Sequence, residues 1–330
     1  MMCLKKFLRR ILLYTAVLWI LTCLIPPVVY FCIQSENVES APPISPSPVP
    51  SAEPDTAAYR ILDTAADTIL EVPDEEFLLS AILCEMSPDA PREALKAQAV
   101  AIGTHYDHLR TVNANSEYHF TCDTENAVVY MEKEKLAERF GERWESIYTS
   151  VSALCAEVAG QRLYYEDELI TAPFFAISAG CTQPNENVWN GDPLPYLRGV
   201  ACPYDVLHSK FTDIKIFSPD EIRAAFPNIS FTEEPGTWFS EPILFPTGYV
   251  ESISLCGTQL TGVEVRTALS LRSAAFSVEF TDGAFRITTR GYGHGVGMSQ
   301  AGAIYLAEYG ESYEDILSYF YPGTELKRKN

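Results

Sequence analysis

The stretch DEEFLLSAILCEMSPDAPREALKAQAVAIGTHYDHL, residues 74–109, decides the architecture, because it reads as two helices broken by a proline-bearing corner. Its first part, DEEFLLSAILCEM, is apolar around most of its circumference, the pattern of a buried helix of about three turns. SPDAP then interrupts the helix. The second helix runs through REALKAQAVAIGTHYDHL, with Asp89 expected as its cap and Pro91 in its first turn. Ala94, Ala97 and Ala101 recur at helical spacing, so a neighbouring element can approach closely. A third helical stretch is expected over roughly 132–155.

Further along the chain the pattern turns to strands. RLYYEDELITAPFFAIS carries β-branched and aromatic runs around the polar turn Glu166-Asp167-Glu168. SISLCG, AAFSVEF and AFRITTRG are further short strands, the last two joined at Asp282-Gly283, a hairpin signal. Helices at about 299–308 and 312–320 close the chain. Helices first and a largely antiparallel sheet later predict an α+β fold, and no repeat of fixed period interrupts it.

Upstream, Lys5, Lys6, Arg9 and Arg10 in the basic segment 1–10 precede an uncharged run over 11–33. That run is long enough to cross a bilayer as a helix, kinked at Pro26-Pro27, with the basic end in the cytoplasm. A cleaved signal peptide is the rival reading, disfavoured by the length of the run and the lack of a small-x-small site. Residues 34–58 form a proline- and serine-rich linker, SAPPISPSPVPSAEPD, extended and semi-rigid. On either reading the folded part, 59–326, lies outside the cytoplasm.

A net charge of -20 excludes nucleic acid as a partner, since phosphate binding needs a basic footprint. An anionic substrate must meet donors placed locally against that field. The nine cysteines contain no CxxC and no regular framework; Cys181 and Cys202 could pair, which sequence alone leaves open.

Two features carry candidate chemistry. RGYGHGVGMSQAGA, residues 290–303, places Gly291, Gly293, Gly295 and Gly297 at every second position before a helix starting at Ser299. It is neither GxGxxG nor a P-loop. Its glycines let a ligand approach the backbone, or else pack a tight strand-to-helix turn; the helix start suits a carboxylate or sugar hydroxyl. The second feature is Glu85, at the C-terminal end of an apolar helix between Cys84 and Met86. The dipole and the apolar neighbours disfavour its charge and would raise its pKa, as glycosidic bond cleavage requires. An exposed helix-end glutamate with ordinary titration is the alternative.

FLLSAILCEMSPDAPREALKAQAVAIGTHY resembles the N-terminal signature of the SpoIID/LytB family, an acid before Met-Pro leading into EALKAQAVAART-Y. SAGCTQPNENVWNGDPLPYLRGV is similar to the family's Ser-x-Gly-x-Thr, Val-Trp and Pro-Tyr-Leu elements. LTGVEVRTALSLRS and TTRGYGHGVGMSQAGAIYLAEYGESYEDILSYFYPGTEL resemble its C-terminal hallmark, so the likeness spans about 70–326 in one collinear order. The resemblance implies a lytic transglycosylase acting on peptidoglycan strands stripped of stem peptides. Glu85 would be its catalytic acid/base, and the sugar's own 6-hydroxyl the nucleophile, giving a 1,6-anhydro product without a second carboxylate. Asp123 and Glu186 are candidate helpers. Gly293, Gly295 and Gly297 are expected to bring backbone donors to the glycan. His294 and the helix start at Ser299 and Gln300 would favour the free lactyl carboxylate, with Tyr292, Arg290, Arg198 and Ser178 in support.

The resemblance further implies a role in sporulation engulfment, in the mother-cell membrane facing the forespore. Its implied partners are a cell-wall amidase and a further engulfment protein. No cofactor is required, but some family members bind zinc, for which His105, His108, His119 and Cys122 are the candidates here. Ser87 replaces the family's proline after Glu85-Met86, with Pro88 one place later. Two other functions compete: a non-catalytic wall-binding module that enhances an amidase, and a thiol or metal hydrolase using Cys84, Cys122 or Cys181 with His119 or His294.

Overall fold

A computed structural model describes residues 58–189 and 191–328; the expected membrane span and nearly all of the linker lie outside the described residues. The chain opens with a hairpin, β1 (Ala58–Asp63) and β2 (Thr68–Pro73), then α1 (Asp74–Glu85) and α2 (Arg92–Val112). β3 (Phe120–Cys122) lies parallel to β1. The third helical stretch is two helices, α3 (Lys133–Phe140) and α4 (Trp144–Glu157), divided by a tight turn where Gly141 takes a φ of 53°. β4 (Gln161–Tyr165), β5 (Glu168–Leu169) and β6 (Phe174–Phe175) follow, then the short α5 (Glu186–Trp189).

β7 (Thr212–Phe217), α6 (Pro219–Ala225), β8 (Ile243–Leu244), β9 (Val250–Leu255), β10 (Thr258–Thr261) and α7 (Gly262–Ala268) form the middle of the chain. β11 (Phe276–Thr281) and β12 (Ala284–Arg290) pair through the expected hairpin, where Asp282 and Gly283 both take positive φ. β13 (Met298–Ser299), α8 (Gln300–Glu308), α9 (Tyr313–Phe320) and β14 (Glu325–Arg328) complete it.

The fold is α+β, but one antiparallel sheet is the wrong picture. The strands divide among several small sheets, and two pairings, β1 with β3 and β6 with β13, are parallel. Strands of two to seven residues cannot span a broad sheet, so each patch is covered by helices or loops. The α2 helix is the centre of the larger core: Ala94, Ala97, Ala99 and Ala101 are all fully buried, and α1, α8 and α9 pack around it. A second apolar cluster, built on Trp238, Val250, Ile253, Phe276, Phe285 and Ile287, holds the middle of the chain.

Two local expectations change. Pro91 itself stands at the N-cap of α2 with no side-chain cap, and Asp89 instead pairs with Arg143. Gly103 leaves room for the guanidinium of Arg162: a Cβ there would lie 2.7 Å from Arg162 Cζ. Arg162 Nε donates to Asp107 Oδ2 at 2.7 Å, and Tyr59 donates to Asp107 Oδ1 at 2.8 Å, so a buried charge network ties α2 to both flanking sheets.

Candidate active site

Glu85 and the glycine-rich stretch meet. The last turn of α1 carries Glu85 to one wall of a cleft of about 270 Å³, with His105 and Tyr106 of α2 beside it. Pro173 and Phe174, Trp189 at the end of α5, and His294 form the rest of the lining. Gln300, the first residue of α8, donates through Nε2 to Glu85 Oε2 at 3.3 Å. Burial pushes the Glu85 carboxyl above the usual range, and the Gln300 hydrogen bond opposes this only in part. The aromatic lining supplies flat apolar surface, and Trp189, 48% exposed, offers one ring face to a ligand.

The alternating glycines are a packing device. All four have positive φ, and at Gly297 an added Cβ would lie 2.0 Å from the Pro173 carbonyl oxygen. At Gly293 it would lie 2.6 Å from Phe175 Cβ, and at Gly295 2.8 Å from the Tyr249 hydroxyl. The close approach lets β13 run beside β6 and sets His294 between Phe175 and Trp189, with ring centroids 5.5 and 5.1 Å away. The Gly293 amide donates to Arg272 O at 2.9 Å, so it is not the glycan donor the sequence suggested.

His294 is likewise committed. Its Nδ1 accepts from the Val296 amide at 3.1 Å, which leaves Nε2 to donate to Phe174 O at 3.0 Å. Both nitrogens of a neutral ring are used, so the ring is a cleft wall and not a cationic clamp for a carboxylate. The expected anion site at the start of α8 is filled from within. Asp205 Oδ2 accepts from Ser299 Oγ at 2.6 Å and from the Ser178 amide at 2.7 Å. Ser299 Oγ in turn accepts from the Gly302 amide at 3.2 Å, and the Ala301 amide donates to Ala176 O at 3.0 Å. Ser178 and Ser299 are both fully buried, which removes them as glycan contacts.

Arg198 and Arg290 are exposed outside the cleft, Arg198 folding back onto Pro195 O at 3.2 Å. Tyr292 is 46% exposed, near Arg272, and also outside the lining. Asp123 accepts from Asn126 Nδ2 and from the amides of Asn126 and Glu125; the Asn126 bonds hold it below the usual carboxylate range as a turn staple. Glu186 keeps a buried Oε2 with no hydrogen-bond partner among the described residues.

The zinc candidates do not converge. His108 faces Leu169 O, His119 Nδ1 accepts from the Arg60 amide, and His105 Nδ1 lies 3.3 Å from Thr171 Oγ1. No group of three or more metal-binding side chains forms among the described residues. The thiol reading fails at two of its cysteines, because burial pushes Cys84 up to about 11 and Cys122 up to about 12, far from a thiolate at neutral pH. Sequence reasoning missed Phe174 and Trp189 as cleft walls and Asp205 as the partner of Ser178 and Ser299; the quoted Val-Trp element was the only signal for any of these.

Burial also pushes His105 and His294 down to about 4. Their unfolded value is about 6.5, so the stability they contribute is complete above that value. It is lost as pH falls toward the folded value. Melting temperature should therefore drop on going from pH 7 to pH 4.5, and His294→Gln should reduce that drop. An equal drop in the variant would show that His294 is not held neutral.

The family model described as stage II sporulation protein, SpoIID, matches residues 63–165. Stage II sporulation protein D of Bacillus amyloliquefaciens is 31% identical over 281 residues, covering 84% of this chain and 80% of that protein. Its counterpart in Bacillus subtilis is 32% identical over 267 residues, 80% of this chain and 77% of its own. The amidase enhancer of Bacillus subtilis is 26% identical over 294 residues, 73% of this chain but 39% of that protein.

Proposed function

Because this chain belongs to the SpoIID family of stage II sporulation proteins, we propose that it acts in sporulation on the cell wall, cutting peptidoglycan glycan strands with Glu85 as catalytic acid and base. The supporting observation is a carboxyl whose charge is disfavoured by burial, set in the wall of an aromatic-lined cleft. A protonated Glu85 gives its proton to the glycosidic oxygen as the bond from the MurNAc C1 breaks. The resulting carboxylate takes the proton of the MurNAc 6-hydroxyl as that oxygen bonds to C1, which closes a 1,6-anhydro ring and restores the acid. The sugar is its own nucleophile, so the turn-stapled Asp123 is not needed. Gln300 fixes the carboxyl's orientation, and the ring faces of Trp189 and Phe174 hold the sugar.

The protein would work from the membrane, held by residues 11–33 with the catalytic part outside the cytoplasm. An amidase that strips stem peptides would supply its substrate, alongside a further engulfment protein. The likeness to an amidase enhancer supports a second reading, a wall-binding module without catalysis. Mass spectrometry of products from purified denuded glycan separates the two. Anhydro-ended fragments are expected; ordinary reducing ends would mean hydrolysis, and uncut strands would leave the binding module.

A further inference from the structure

Glu85 stands on a ridge with a depression on each side, and the two sides differ in chemistry. One is the aromatic cleft. The other, about 350 Å³, lies against the corner Met86-Ser87-Pro88 and carries Arg139 and Arg143. Arg139 sits in the last turn of α3 and Arg143 in the tight turn that follows, so the bend at Gly141 turns both guanidinium groups to the same wall. Arg143 is paired with Asp89, which lines the same depression. Arg139 lies over the Phe140 ring at 5.4 Å and belongs to none of the ion pairs among the described residues. Acids outnumber bases by 44 to 24 in this chain, so a guanidinium left without a carboxylate beside the catalytic acid is unusual. Apart from Glu85 itself, the depression holds two cations against one anion, Asp89.

The geometry points to this depression as the subsite of an anionic sugar: Arg139, with Arg143 beside it, binds the free lactyl carboxylate of a muramic acid residue next to the bond cleaved at Glu85. The inference rests on the glycan-cleaving reading and supplies the donor that the glycine stretch, His294 and the start of α8 do not. A guanidinium presents two parallel N–H groups that match a carboxylate, and the fit is lost when that carboxylate becomes the amide of a stem peptide. Preference for stripped strands then follows from one charge contact.

Calorimetry on the full chain carrying Glu85→Gln, which holds strands without cutting them, tests the assignment. Three probes are used: denuded glycan, the same glycan methyl-esterified at the lactyl group, and peptide-bearing glycan, whose carboxylates lie on the stem. With Arg139 present, the denuded strand should bind about tenfold or more tighter than either other probe. Adding Arg139→Gln should bring all three to the same weak level, and Arg139→Lys should keep part of the preference. An unchanged ratio of acid to ester in Arg139→Gln, or no ratio with Arg139 present, overturns the subsite. If the parent chain, with Glu85 intact, leaves denuded strands uncut while the ratio persists in Glu85→Gln, the subsite stands and the catalytic reading falls; cleavage by the parent without the ratio would do the reverse.

Discussion

Replacing Glu85 by glutamine is expected to slow strand cleavage by about a thousandfold or more while leaving glycan affinity within about twofold. Glutamine keeps the size of the side chain and an oxygen to accept from Gln300, but it has no proton to give. The same variant should be more stable than the parent at pH 7. A carboxyl raised by burial is protonated in both states below its unfolded value, about 4.3, and costs nothing there. As pH rises through that value the unfolded chain ionises first, and the cost grows until the folded value is passed. Thermal melts should therefore place Glu85→Gln above the parent at pH 7 and level with it at pH 3.5. A variant that melts lower at pH 7 would mean that the carboxylate is stabilised in the fold, and the proposed acid would be lost with it. Activity of the parent should fall as pH rises through the folded value, the limb set by loss of the proton.

The largest structural effect is expected at Gly297. Its φ is 79°, and the Cβ of an alanine would sit 2.0 Å from the Pro173 carbonyl oxygen. That oxygen cannot yield cheaply, because it accepts from the Met298 amide at 3.1 Å and the Tyr321 hydroxyl at 2.7 Å. Gly297→Ala should cost about 3 kcal/mol or more, lowering the melting temperature by roughly 10 °C. Gly310 is the control: its φ of 96° is also positive, but nothing lies within 4 Å of an added Cβ. Gly310→Ala should cost only about 1 kcal/mol. Equal losses at the two positions would mean that backbone conformation alone, and not the approach of β13 to β6, explains the glycines.

The helices around the acid were legible because their signals are local. DEEFLLSAILCEM and REALKAQAVAIGTHYDHL fold as α1 and α2 within a few residues of expectation, and the Asp282-Gly283 turn joins β11 to β12 as its dipeptide predicts. Glu85 could be singled out because its neighbours along the chain already withhold solvent. The hairpin of β1 and β2 and the strand TDIKIF of β7 went unread, since six-residue runs carry few alternations. The glycine stretch was readable as unusual but not as to purpose. Whether alternating glycines admit a ligand or the protein's own backbone depends on what lies opposite, and Pro173 and Phe175 lie more than a hundred positions away. Asp205 carries no motif at all; only the fold brings it under Ser178 and Ser299.

The hydrogen bond from Gln300 to Glu85 joins positions 215 residues apart. During synthesis at about 5–20 residues per second, the acid is made roughly 10–40 s before its holder. His294, which also lines the cleft, arrives late as well. A growing chain therefore carries Glu85 before the residue that orients it, and one ended before Gln300 lacks that hydrogen bond altogether.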